Sequence, residues 1–199
     1  MEEENALWVC PAYRLLPEAT TGEIIDDIDD FWKWVHQPQG LQAAVHAARP
    51  NLTVNLDRVA LHGESAGGFL SLQSAFLFPH AKLKVVMAHF PTMYTDLQHE
   101  PLPSRSKDVP PGSEADALID KYIGDLPNNP GAVRTSSPWP EMADFIFATF
   151  NTGRLKSLLG DDERMMLRYA LSKSKDIPLA PLWVAQGIQD LIVSFGCIC

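Results

Sequence analysis

The sequence predicts an α/β fold with a mostly parallel sheet, flanking helices and a helical insertion. Three observations carry this. Short apolar runs at 58–62, 83–90 and 181–186 are bounded by turn residues. Between them lie segments of helical periodicity at 24–35 and 69–78. Strands that alternate with helices in this way form parallel sheets, whose binding sites lie at the carboxyl ends of the strands. A length of 199 residues suits one domain with a sizeable core, or a piece of a larger one.

Each element has its own signal. Ala6-Leu7-Trp8-Val9-Cys10, closed by Pro11, reads as a buried strand. Thr20 and Glu23 form a capping-box pattern. Ile24, Ile28, Phe31, Trp32 and Val35 follow at helical spacing, with Asp26, Asp27, Asp30 and Lys33 mainly on the other face. That acidic group reads as a solvated face near the helix N-terminus rather than a metal site. Residues 40–49 read as a second short helix, or the end of a broken one, stopped by Pro50, and Phe69 to Phe78 as an apolar helix ended by Pro79. Residues 98–112 are rich in proline and read as a loop, with helical patches near 114–123, 139–150 and 162–173. This texture predicts a cap-like insertion at about 95–175 within a single domain spanning 1–199.

Composition narrows the function. A net charge of −9 argues against nucleic acid and anionic membranes as partners, and leaves a small neutral substrate open. No apolar run reaches the roughly 18 residues of a membrane helix. The acidic start Met1-Glu2-Glu3-Glu4-Asn5 is the opposite of a signal peptide's basic start, which points to the cytoplasm if Met1 is the true start. Cys10, Cys197 and Cys199 show no framework spacing, and the closing Cys197-Ile198-Cys199 lacks further ligands nearby for a metal. Asn51-Leu52-Thr53 fits a glycosylation pattern that chance also produces.

The chemistry centres on Gly63-Glu64-Ser65-Ala66-Gly67, a G-x-S-x-G motif between a strand and an apolar helix. A sharp turn there would hold Ser65 strained with its Oγ exposed, and glycine is expected at Gly63 and Gly67 because side chains would clash. The Ala66 N–H, at a helix N-terminus, suits an oxyanion. A serine hydroxyl is a weak nucleophile without a base. The chain order for this chemistry is Ser, then Asp or Glu, then His. Asp190, just beyond the last predicted strand, is the acid candidate. No histidine follows it, so the base is unassigned. His62 reads as a packing residue, and His89 and His99 lie nearer the site's side of the sheet.

Together these residues resemble the α/β-hydrolase fold-3 family, the hormone-sensitive-lipase-like esterases and lipases, and most of all its fungal members. Tyr13-Arg14-Leu15-Leu16-Pro17-Glu18 resembles the family's Y-R-L-x-P-E segment. Gly63-Glu64-Ser65-Ala66-Gly67-Gly68 resembles its nucleophile elbow, with Glu64 where Asp is common. Residues 181–193 are similar to its acid segment, with Gln186 where a His is usual. The resemblance spans about residues 6–193 and is loose in the cap.

The resemblance implies a partial α/β-hydrolase fold and a carboxylic-ester hydrolase acting on a small-molecule ester. Ser65 would be the nucleophile and Asp190 would orient a histidine; no metal or organic cofactor is implied. Trp139, Phe145, Phe147 and Phe150 would line an acyl pocket or pack the cap's own core. The family's His-Gly-Gly loop and its late histidine are not found in the sequence, and the tail from Ser194 departs from the usual continuation. The expectation is therefore a truncated chain, inactive by itself, in which a strand is missing between 6–10 and 58–62. A ligand-binding protein that keeps the fold, as some plant hormone receptors do, and a non-functional fragment are the alternatives.

Overall fold

A computed structural model describes residues 6–93, 110–126, 133–136 and 142–189. The chain divides into two compact units. One comprises Met1–Pro11, Ile25–Thr95 and Arg164–Cys199, and the other Ala12–Ile24 and Asp96–Glu163.

The first unit is built on three parallel strands, β1 (Val59–Glu64), β2 (Leu83–His89) and β3 (Leu182–Ala185), in the spatial order β1-β2-β3. Parallel neighbours need a crossover, and α3 (Ala66–Leu77) supplies it between β1 and β2. The register pairs Leu61 with Val86, Gly63 with Ala88 and Glu64 with His89; Ala88 pairs in turn with Val184, and His89 with Ala185. Paired residues of adjacent strands point to one side of the sheet. Leu61, Gly63, Val86 and Ala88 therefore share one face, and His62, Glu64, Met87 and His89 the other.

Helix α3 covers the first of these faces. It is buried from Gly68 to Phe76, which explains why its apolar residues run all round it rather than along one stripe. Leu72 and Phe76 pack with Ala88, Met93 and Ala170 in one core cluster. Helix α1 (Thr21–His36) buries Ile25, Ile28, Trp32 and Val35. The Trp32 indole N–H donates to Ser74 Oγ at 3.1 Å, and Ser74 Oγ donates to the Leu70 carbonyl at 2.8 Å. The start of α1 is the expected capping box: the Thr20 N–H donates to Glu23 Oε2 at 2.8 Å and the Glu23 N–H donates to Thr20 Oγ1 at 3.2 Å. Its acidic face is solvated, with Lys33 Nζ 2.7 Å from Asp29 and 3.2 Å from Asp30. A short α2 (Leu41–Ala48) follows.

Among the described residues, the other face of the sheet is open. Trp183 is 52% exposed, and His62 and Glu64 are exposed. This corrects the reading of His62 as a packing residue: strand alternation places it opposite the helix-covered face. The run Ala6–Cys10 is also corrected. It forms no strand, and Leu7 and Trp8 are 52% and 65% exposed. A strand is held by its neighbours, and β1 pairs only with β2 among the described residues.

The second unit contains α4 (Glu114–Gly124), α5 (Ala143–Asn151) and the short α6 (Leu155–Leu159); α7 (Leu167–Lys173) belongs to the first. Ile119, Met142, Phe145 and Ala148 form the second unit's core, and the Tyr122 and Phe145 rings lie 4.4 Å apart. Phe145 is thus a packing residue, while Phe147 is 40% exposed and Phe150 half-buried; Trp139 lies outside the described residues. The segment 13–18 is tied down by charge. Arg134 Nε donates to Glu18 at 3.0 Å, Tyr122 Oη donates to it at 2.7 Å, and the Leu15 N–H donates to the Arg134 carbonyl at 3.0 Å. Burial alone would raise the Glu18 carboxyl, but the hydrogen bonds from Arg134 and Tyr122 outweigh it and hold it below the usual carboxylate range.

Candidate active site

The elbow is tighter than its sequence suggests. Strand β1 runs through Glu64 and α3 begins at Ala66, so Ser65 alone makes the turn. Its backbone stands at φ 51° and ψ −120°, a region that residues with a Cβ seldom adopt. Such conformations cost of order 1–3 kcal/mol and persist where their surroundings over-determine them. Here the bracing is visible. The Ser65 N–H donates to the His89 carbonyl at 3.0 Å, and the Ser65 carbonyl accepts from Phe69 at 3.0 Å and from Thr92 at 3.3 Å. Phe90, also at positive φ (37°), donates its N–H to the Ala185 carbonyl at 2.7 Å. The ends of the three strands are thereby stitched around the serine.

The glycines divide in a way the motif does not show. A Cβ at Gly63 would lie 2.2 Å from the Gly67 carbonyl oxygen and 2.5 Å from Ser71 Oγ, so glycine is required. A Cβ at Gly67 would meet nothing within 4 Å, which corrects the expectation of a clash there. The close approach falls one residue later. A Cβ at Gly68 would lie 3.0 Å from the His89 carbonyl oxygen and 3.2 Å from Pro91 Cα. Gly68 is where α3 presses on the end of β2, and its neighbour Gly67 points away.

Ser65 is exposed, and no side chain among the described residues hydrogen-bonds its Oγ. The Ala66 N–H is one of the first-turn donors that a helix leaves without an intrahelical partner. An anion beside it would gain from the helix dipole. Strand β3 ends at the same sheet edge as β1, because the two run parallel through β2. Residues 186–189 leave from that edge; Asp190, like His99, lies outside the described residues. His89 is half-buried on the open face, its ring turned to His62, with His62 Nε2 3.4 Å from His89 Nδ1.

A parallel sheet whose strand-to-helix turn carries one strained, exposed serine is the frame of an α/β hydrolase. The chain belongs to that family: a family model described as alpha/beta hydrolase fold matches residues 2–139. Over 98% of its length the chain is 32% identical to the probable carboxylesterase clz11 of Cochliobolus lunatus, of which it covers 89%. It is also 32% identical to the probable carboxylesterase M8 of a Phoma species, again over 98% of its length, but covers only 60% of that protein. Among solved structures it is similar to a fungal esterase of Rhizomucor miehei, at 19% identity and a TM-score of 0.44, with 86% of this chain and 43% of the other aligned. No helix among the described residues is long and apolar enough to cross a membrane.

Proposed function

We propose that the protein is a serine carboxylic-ester hydrolase in which Ser65 Oγ attacks the ester carbonyl and becomes acylated. The observation that supports this most is the backbone of Ser65 at φ 51°, held between β1 and α3 with its side chain exposed. Attack forms a bond from Ser65 Oγ to the carbonyl carbon, and collapse of the tetrahedral intermediate expels the alcohol. Water then releases the acid and restores the serine. The Ala66 N–H donates to the oxyanion, where a single such donor is worth about 3–4 kcal/mol in comparable sites. Asp190 is read as the acid that orients the base, and the second compact unit as the cap insertion. The ester is a small molecule, and relatives named as carboxylesterases support that class.

The base is left unassigned. The His62 and His89 rings meet each other, and neither imidazole hydrogen-bonds Ser65 Oγ. With no base placed beside Ser65 Oγ among the described residues, attack is slow, and weak hydrolysis is expected of the 199-residue chain. The test is adduct formation on incubation with a fluorophosphonate, read by peptide mass spectrometry. We expect slow labelling of Ser65, faster in added imidazole, and none at this peptide in Ser65→Ala. Labelling that spares Ser65 while other serines react would overturn the assignment and favour a non-catalytic ligand-binding role.

A further inference from the structure

The open face of the sheet carries three metal-ligating side chains that the ester chemistry leaves unused. His62 and Glu64 are two residues apart on β1, so both project from one face. His89 lies opposite Glu64 in the parallel register with β2. One ligand atom from each of the three lies within 4.8 Å of the others. The Trp183 ring, edge-on at 4.9 Å from the His89 ring, fixes that imidazole from the β3 side.

We propose that His62, Glu64 and His89 form a binding site for a divalent transition-metal ion of the zinc class. The spacing fits. Two nitrogens each about 2.05 Å from a tetrahedral zinc lie about 3.3 Å apart, and His62 Nε2 and His89 Nδ1 are 3.4 Å apart. A cation between the two nitrogens would take a lone pair from each. Two imidazoles with one carboxylate select zinc, nickel or copper over magnesium and calcium, which prefer all-oxygen shells. The fourth position is open to water, since among the described residues nothing covers the sheet face there. Rigidity favours the site as well: all three ligands sit on paired strands, and the His89 carbonyl is held by the Ser65 N–H. The ion would join β1 to β2 through side chains, beside the elbow.

The test is calorimetric titration of the 199-residue chain with zinc chloride and, separately, magnesium chloride. It is done in a Cys10→Ser/Cys197→Ser/Cys199→Ser background so that thiols do not compete. One zinc per chain should bind with no matching magnesium signal, and zinc should raise the melting temperature, because an ion that binds only the folded state stabilises it. His62→Ala and His89→Ala should each weaken zinc binding tenfold or more. Glu64→Gln, which keeps the side-chain shape, should weaken it less, and His46→Ala, on exposed α2, should leave it unchanged. Circular dichroism of each variant separates lost binding from lost folding. Absence of saturable zinc binding, or binding that His62→Ala and His89→Ala leave intact in folded protein, would overturn the proposal.

Discussion

Replacing Gly63 and Gly67 separately by alanine should have opposite effects on stability, although the motif treats the two glycines alike. At Gly63 the new methyl group would sit 2.2 Å from the Gly67 carbonyl oxygen, 2.4 Å from the Gly67 carbonyl carbon and 2.5 Å from Ser71 Oγ. Two of these are backbone atoms at the first turn of α3, and Ser71 is fixed by donating to the Gly67 carbonyl at 2.8 Å. Relief requires α3 to move off β1, and overpacking of this kind costs about 1–3 kcal/mol or more. At Gly67 the methyl group enters open space within a helix. The unfolded chain loses freedom and the helix gains propensity, together worth about 0.4–1 kcal/mol in favour of the folded state. The two variants should therefore differ by about 1.5–4 kcal/mol. A protein of this size shifts its melting temperature by roughly 2–4 °C per kcal/mol, so thermal unfolding followed by circular dichroism resolves the gap. Gly67→Ala melting as low as Gly63→Ala would refute the reasoning, since it would mean that both positions are sterically closed.

Other perturbations read different parts of the structure. Ser65→Gly should be more stable than Ser65→Ala by about 1–3 kcal/mol, because glycine relieves the positive φ that alanine keeps; equal melting temperatures would count against strain at the elbow. Ser74→Ala removes the acceptor of the buried Trp32 indole N–H and should cost about 1–3 kcal/mol in a denaturant titration. The Glu18 carboxyl is held below its ordinary range, so its contribution to stability is present at neutral pH and is lost as pH falls through and below that range. Glu18→Gln should accordingly be less stable than the wild type at pH 7, with the difference shrinking on acidification; a gap that persists at low pH would show that packing, not charge, is responsible.

How far each feature could be read in advance depended on whether its cause is local. The capping box of Thr20 and Glu23, the apolar stripe of α1 and the all-round apolar α3 are written within a turn or two of helix, and the structure repeats them. So is the strand-serine-helix order of the elbow, because a sharp turn needs few residues to specify it. The failures concern long-range partners. Ala6–Cys10 has the composition of a buried strand, but a strand exists only through hydrogen bonds to a neighbour, and here none is formed among the described residues. His62 has the same alternation whichever face is covered, and only the placement of α3 decides that it is exposed. The short α6 carried no periodicity strong enough to be noticed. Gly67 and Gly68 are indistinguishable in a sequence; the end of β2, twenty-one residues further on, determines which of them must lack a side chain. The same pairing brings His89 beside His62 and Glu64. By itself the sequence determined the local backbone and the family's motifs, since those arise from neighbouring residues. Tertiary structure alone decided which faces are covered and which distant side chains meet, since parallel strands place side by side residues that the chain keeps far apart.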